Sequence, residues 1–175
     1  MKKLVLGSDH AGFPLKEKIA EHLRGKGFEI IDIGCHNGDS VDYPSISAQL
    51  AQAVQCIQQE APEQTHYGIL CCGSGIGVCI AANRYPWIRA TEAHDHNTAI
   101  LSRRHNDSNV LCLGARVLAA ELAFTLIDEW LETPFDGGRH QKRVDMMSDP
   151  QIDIKKFDNT RMNASNSVPK EMPSC

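Results

Sequence analysis

Two rhythms of apolar residues run along the chain. Short apolar runs, several rich in β-branched residues, recur at 3–6 (KLVL), 28–33 (FEIIDI), 67–71 (YGILC), 88–91 (IRAT) and 109–113 (NVLCL), each about as long as a buried strand. Between them apolar side chains return every three or four residues. Leu15, Ile19 and Leu23 form one such series, Ile46, Leu50, Val54 and Ile57 a second, and Leu118, Leu122 and Leu126 a third, within a helix expected at about 117–132. Alternation of strand and helix predicts a doubly wound α/β fold of Rossmann-like type. Its mostly parallel, five-stranded sheet would carry helices on both faces, joined by right-handed crossovers. Ligands in such sheets collect at the carboxyl ends of the strands.

Those ends carry GSDHAG (7–12), GCHNGDSVDYP (34–44), CCGSGIG (71–77), EAHDHN (92–97) and GAR (114–116). Pro134 and the Gly137–Gly138 pair break the last long helix, and a basic stretch after them starts another. The chain reads as one domain over 1–158. Residues 159–175 are polar and aperiodic, the composition of a disordered tail.

Charge narrows the partners. A formal net charge of -4 gives no basic surplus for nucleic acid, and no apolar run reaches membrane length. The apolar run after Met1–Lys3 is too short for a secretory signal, which points to the cytoplasm. Seven cysteines without framework spacing are expected to be reduced, with Cys56 and Cys112 as small buried core residues.

Gly73, Gly75 and Gly77 lie between a strand and a segment that could be a helix. Such a loop lets the backbone approach a ligand and aims several N–H groups at one point, which suits an anion or an oxyanion formed during a reaction. A dinucleotide fingerprint fits poorly: the third glycine comes one place early and the loop follows the third strand, although Glu92 stands near a ribose-binding position. A redox pair is disfavoured because Cys71 and Cys72 are neighbours and, on a strand, point to opposite faces. Cys72, next to the glycines, is the candidate base or nucleophile, or else a thiol packed beside a tight turn.

His10, His94, His96 and His105 are placed at or near strand ends, with Asp9 beside the first, a set that raises the question of zinc. Their spacings match no common zinc pattern, so no metal site is expected. Arg139 and Arg143, four apart, would share one helix face and form a fork for a phosphate, with Arg116 able to join them; a solvated basic face is the alternative. Arg103 and Arg104 read as exposed charge.

Five segments, GSDHAGFPLK, VDYP, GILCCGSGIGVCIAANR, LSRRHNDSNVLCLGARV and DGGRHQKRV, resemble in order and spacing the ribose-5-phosphate isomerase B family, which includes galactose-6-phosphate isomerase subunits; the match spans about residues 1–150. The resemblance implies a homodimer or dimer of dimers, no cofactor, and a metal-independent interconversion of ribose 5-phosphate and ribulose 5-phosphate. It gives Cys72 the place of the proton-abstracting cysteine; Val78 stands where some members use a glutamate. His105 would open the sugar ring with Asp9 as helper, and Ser74 would shuttle protons. It aligns His10, Tyr43, Asn106, Arg116, Arg139 and Arg143, with the loop Gly73, Ser74, Gly75, Ile76 and Gly77, as substrate contacts. An isomerase of six-carbon sugar phosphates, such as allose 6-phosphate or galactose 6-phosphate, and a non-catalytic sugar-phosphate binding module are the alternatives. Loop 35–43 is expected to set the space for the sugar.

Overall fold

The computed structural model describes residues 3–63 and 65–148; the boundary at 158 and the tail 159–175 lie outside the described residues. In chain order come β1 (Lys3–Ser8), α1 (Phe13–Gly25), β2 (Glu29–Asp32), α2 (Tyr43–Glu60), β3 (Tyr67–Cys72), α3 (Ile76–Ala82), β4 (Ala90–Glu92), α4 (His96–Asn106), β5 (Val110–Gly114), α5 (Ala120–Glu132) and α6 (Arg139–Ser148). The five strands pair in parallel in the order β2-β1-β3-β5-β4. Chain progression reverses between β1 and β3, so the crevice of a doubly wound sheet opens at their carboxyl ends, past Ser8 and Cys72.

Strand alternation divides the core into two layers. Leu4, Leu6, Ile69, Cys71, Leu111 and Leu113 face α1 and α5, where they meet Ile19, Leu23, Leu126 and Trp130. Val5, Leu70, Cys72, Val110 and Cys112 face the other way, onto Leu50 and Val54 of α2 and Val78 and Ala82 of α3. The adjacent cysteines of β3 thus belong to opposite layers, as the pattern predicts.

Three features depart from the pattern. α4 buries only Ala99, Ser102 and Arg103, too few apolar positions to show a helical stripe. Its start was nevertheless written in Asp95 and Thr98: the Asp95 carboxylate accepts the Thr98 N–H at 2.8 Å, and the Thr98 hydroxyl lies 3.3 Å from the Asp95 N–H, a capping box. Cys56 is exposed rather than core, because α2 buries Ile46, Leu50, Val54 and Ile57 and Cys56 lies off that stripe. Leu118 precedes α5, which starts at Ala120.

Lys16 is fully buried and holds both carboxylate oxygens of Asp32, at 2.8 and 2.6 Å. Asp32 also accepts the Gly34 N–H at 3.0 Å, so this ion pair fixes the turn that leaves β2 toward the crevice.

Candidate active site

At the carboxyl end of β1 the chain turns sharply over β3. Asp9 donates its N–H to the Cys71 carbonyl at 3.2 Å, and its carboxylate accepts the Gly12 N–H at 2.8 Å. Gly12 is required there, since a Cβ would collide with the Cys71 carbonyl. His10 follows, its Nδ1 accepting the Val41 N–H at 3.4 Å, which ties the loop before α2 to the crevice. The Tyr43 ring covers Gly77 so closely that a Cβ would lie 3.0 Å from it.

β3 ends at Cys72, and the Gly75 N–H donates to its Sγ at 3.1 Å. Gly75 takes the left-handed conformation, φ 81°, and packs on the backbone of β5, where a Cβ would lie 3.1 Å from Gly114 N. Burial pushes the Cys71 thiol well up, reinforced by the neighbouring Cys72, so Cys71 is inert packing. Arg116 lays its guanidinium beside Gly73, 3.3 Å from where a Cβ would stand.

These residues enclose one cavity of about 380 Å³, lined by Asp9, His10, Ala11, Tyr43, Cys72, Gly73, Ser74, Gly77, Arg116 and Val117. The structure therefore brings together most of the residues singled out in the sequence. The expected ring of loop amides is only partly open to a ligand: Gly75 N–H is engaged by sulfur, and Ile76 N–H points at the Ser74 hydroxyl, 3.4 Å away. Ile76 presents an exposed side chain outside the cavity.

His105, Asn106, Arg139 and Arg143 are elsewhere. His105 and Asn106 end α4 and stand at the amino end of the sheet, contrary to the strand-end position expected of His105, because α4 carries the chain back along the sheet before β5 begins. The Asn109 carbonyl accepts the Gly68 N–H at 2.9 Å, which places this edge beside the start of β3. From Gly68 to Cys72 the strand rises roughly 13 Å. Asp9 and His105 of one chain are thus at opposite ends and cannot act as a pair within it.

A second, basic cluster forms around His105. Its ring stacks on His140, centroids 4.3 Å apart, and Arg139 Nε reaches His140 Nε2 at 3.4 Å. Arg104 grips Asp136 at 3.0–3.2 Å, docking the segment before α6 onto α4 and holding the Asp136 carboxyl below its usual range. Burial, then the neighbouring His105, Arg139 and Arg143, push the His140 imidazole down. The smaller part of that shift comes from Arg139 and Arg143, two positive charges whose field an anion would meet favourably. A further cavity of about 360 Å³ lies beside Asn106, lined also by Tyr85, Arg89 and Met147.

Arg103 is not the exposed charge its neighbours in sequence suggested. It is buried at 4% exposure, paired with Asp107 and stacked over Tyr67 and Trp130, with ring centroids at 5.0 and 5.7 Å. Among the described residues, no three His, Cys, Asp or Glu side chains converge as a metal site: His94 contacts Glu92, and His96 contacts Glu129. Nor is any described helix long and apolar enough to cross a membrane.

A family model described as Ribose/Galactose Isomerase matches residues 4–147. The chain belongs to this family. Within the ribose/galactose isomerases, it is 45% identical over 148 residues to Ribose-5-phosphate isomerase B of Escherichia coli (strain K12), covering 85% of this chain and 95% of that one. The structure of Ribose-5-Phosphate Isomerase B from Clostridium thermocellum superposes with a TM-score of 0.78 at 44% identity, covering 83% of this chain and 95% of that chain. The Mycoplasma genitalium enzyme, solved with bound Ribulose-5-phosphate, gives a TM-score of 0.77 at 37% identity over 83% of this chain and 93% of that chain.

Proposed function

We propose that this chain interconverts ribose 5-phosphate and ribulose 5-phosphate through an enediolate, in an active site completed by a second copy of the chain. The observation that carries the reading is the Cys72 sulfur in a cavity also lined by Asp9, His10, Ser74 and Arg116. Isomerisation moves a proton from the carbon next to a carbonyl to its neighbour. The sulfur takes that proton, backbone amides of the glycine loop hold the oxyanion, and the Ser74 hydroxyl relays protons between the two oxygens. Position 78 is a valine, fully buried, and so offers no carboxylate to compete as base.

The furanose ring must open first, which takes an acid–base group at the ring oxygen; this is the role of His105. Arg139 and Arg143 bind the phosphate, and that remote anchoring orients the reacting end. One pentose phosphate cannot touch Cys72 and the same chain's His105, since a sheet's length lies between them. A two-fold dimer resolves this by setting the His105 cluster of each copy against the cavity of the other. Ile76 and Ile80, four apart on α3, present an apolar strip at 56% and 64% exposure beside the cavity, the kind of surface a second copy covers. The free thiols Cys35, Cys56, Cys71, Cys72, Cys79 and Cys112 are in keeping with work in the cytoplasm.

A six-carbon substrate is the second reading, favoured by the family description itself, which includes galactose. A coupled assay on ribose 5-phosphate, allose 6-phosphate and galactose 6-phosphate, with a chelator present, tests both. The pentose should turn over with the highest kcat/KM, undiminished by the chelator, and Cys72→Ala should lose about a hundredfold or more. Equal rates for wild type and Cys72→Ala would remove the assignment of the base. Binding without turnover would make the protein a sugar-phosphate carrier.

A further inference from the structure

Asp107 is, among the described residues, the one non-glycine position with positive φ, at φ 46° and ψ 45°. It caps α4 immediately after His105 and Asn106, its N–H donating to the carbonyls of Arg103 and Ser102. Among side-chain-bearing residues aspartate and asparagine enter this conformation most readily, yet it still carries strain, and such positions persist where the surroundings over-determine them, often at functional sites.

Here two guanidinium groups do so. Arg89 Nη2 meets Asp107 Oδ2 at 2.7 Å, and Arg89 Nε donates to the Asp107 carbonyl at 2.8 Å. Arg103 Nη1 meets Oδ1 at 2.8 Å and donates to the Ser108 carbonyl at 2.6 Å, while Arg103 Nη2 donates to the Tyr67 hydroxyl at 3.0 Å. Carboxylate and carbonyl of one residue are thereby fastened to the approach to β4, the start of β3 and α5. Capping alone asks only for a left-handed residue, which glycine supplies with less strain and no side chain.

We propose that Asp107 is a positioning residue for ring opening: the Arg89–Asp107–Arg103 clamp sets where α4 ends and so presents His105 and Asn106 to the substrate held at the partner's Cys72 cavity. The inference rests on the reading of His105 given above. It separates two steps of the reaction. Ribulose 5-phosphate is open-chain, because its free hydroxyls lie too near the keto carbon to close a five-membered ring. Exchange of its C1 hydrogen in deuterated water therefore reports proton transfer at Cys72 without ring opening.

The test compares that exchange, at saturating ribulose 5-phosphate, with isomerisation of ribose 5-phosphate in Asp107→Gly, Asp107→Asn, Arg89→Met and His105→Ala. Asp107→Gly keeps the left-handed cap and removes the clamp. Arg89→Met frees one carboxylate oxygen while Arg103 stays paired, and it decides the matter alone should Asp107→Gly not fold. In both, isomerisation of ribose 5-phosphate should fall about tenfold or more while exchange stays within about twofold of wild type, with Asp107→Asn recovering part of the loss. A parallel fall in both rates, or no fall in either, would overturn the proposal. If His105→Ala isomerises ribose 5-phosphate normally, the ring-opening assignment fails. If only His105→Ala is impaired, the assignment stands and the clamp does not.

Discussion

The backbone N–H of Gly75 donates to the Sγ of Cys72 at 3.1 Å, so the residue that ends β3 and the one that caps α3 are joined through sulfur. The contact exists because Gly75 holds φ 81° against the backbone of β5. Gly75→Ala introduces a Cβ 3.1 Å from Gly114 N in a conformation that disfavours it by about 1–2 kcal/mol. The expected outcome is a stability loss of about that size by urea unfolding, with a drop in kcat of tenfold or more because the donor moves off the sulfur. An unchanged kcat would show that this hydrogen bond is not part of the mechanism.

Thiol chemistry distinguishes the cysteines by place. Cys71 and Cys112 are fully buried, and burial raises both thiols, so neither should react with iodoacetamide in the folded protein. Cys56 is exposed and should react at the same rate with or without substrate. Cys72 should be alkylated and then protected by ribose 5-phosphate, as read by peptide mass mapping. Protection of Cys71 in place of Cys72 would reverse the choice between them.

The basic cluster predicts a pH dependence. The folded-state pKa of His140 lies below its ordinary 6.5, chiefly through burial and then through His105, Arg139 and Arg143. Between the two values the unfolded chain binds more protons than the folded one, so stability falls as pH drops below about 6.5. Tm should decline from pH 8 to pH 5.5, and the decline should shrink in His140→Gln. Inorganic phosphate should raise Tm more at pH 5.5 than at pH 8, because an anion among these groups offsets the added charge. A phosphate effect that is the same at both pH values would speak against an anion site here.

Strand alternation was enough to send Cys71 and Cys72 to opposite layers, and apolar periodicity placed α1 and α2, because burial in a parallel sheet leaves a direct mark on side-chain type. α4 left no such mark: its stripe is Ala99, Ser102 and Arg103, and only the Asp95–Thr98 cap betrays it. Missing that helix put His105 at the wrong edge of the sheet. Arg103 was misread because charge is normally exposed, whereas the two rings that bury it come from Tyr67 and Trp130, distant in sequence, and only its carboxylate partner Asp107, one helical turn on, is local. Which residues meet across two copies is a matter of surface shape, and no local pattern records it.

In the proposed dimer each active site draws Cys72 from one chain and His105 from the other. Cys72→Ala and His105→Ala proteins, each inactive alone, should regain activity when unfolded together and refolded. Random pairing of equal amounts makes half the dimers mixed, each with one intact site of two, hence about a quarter of wild-type activity. A mixture no more active than its components would contradict the shared site.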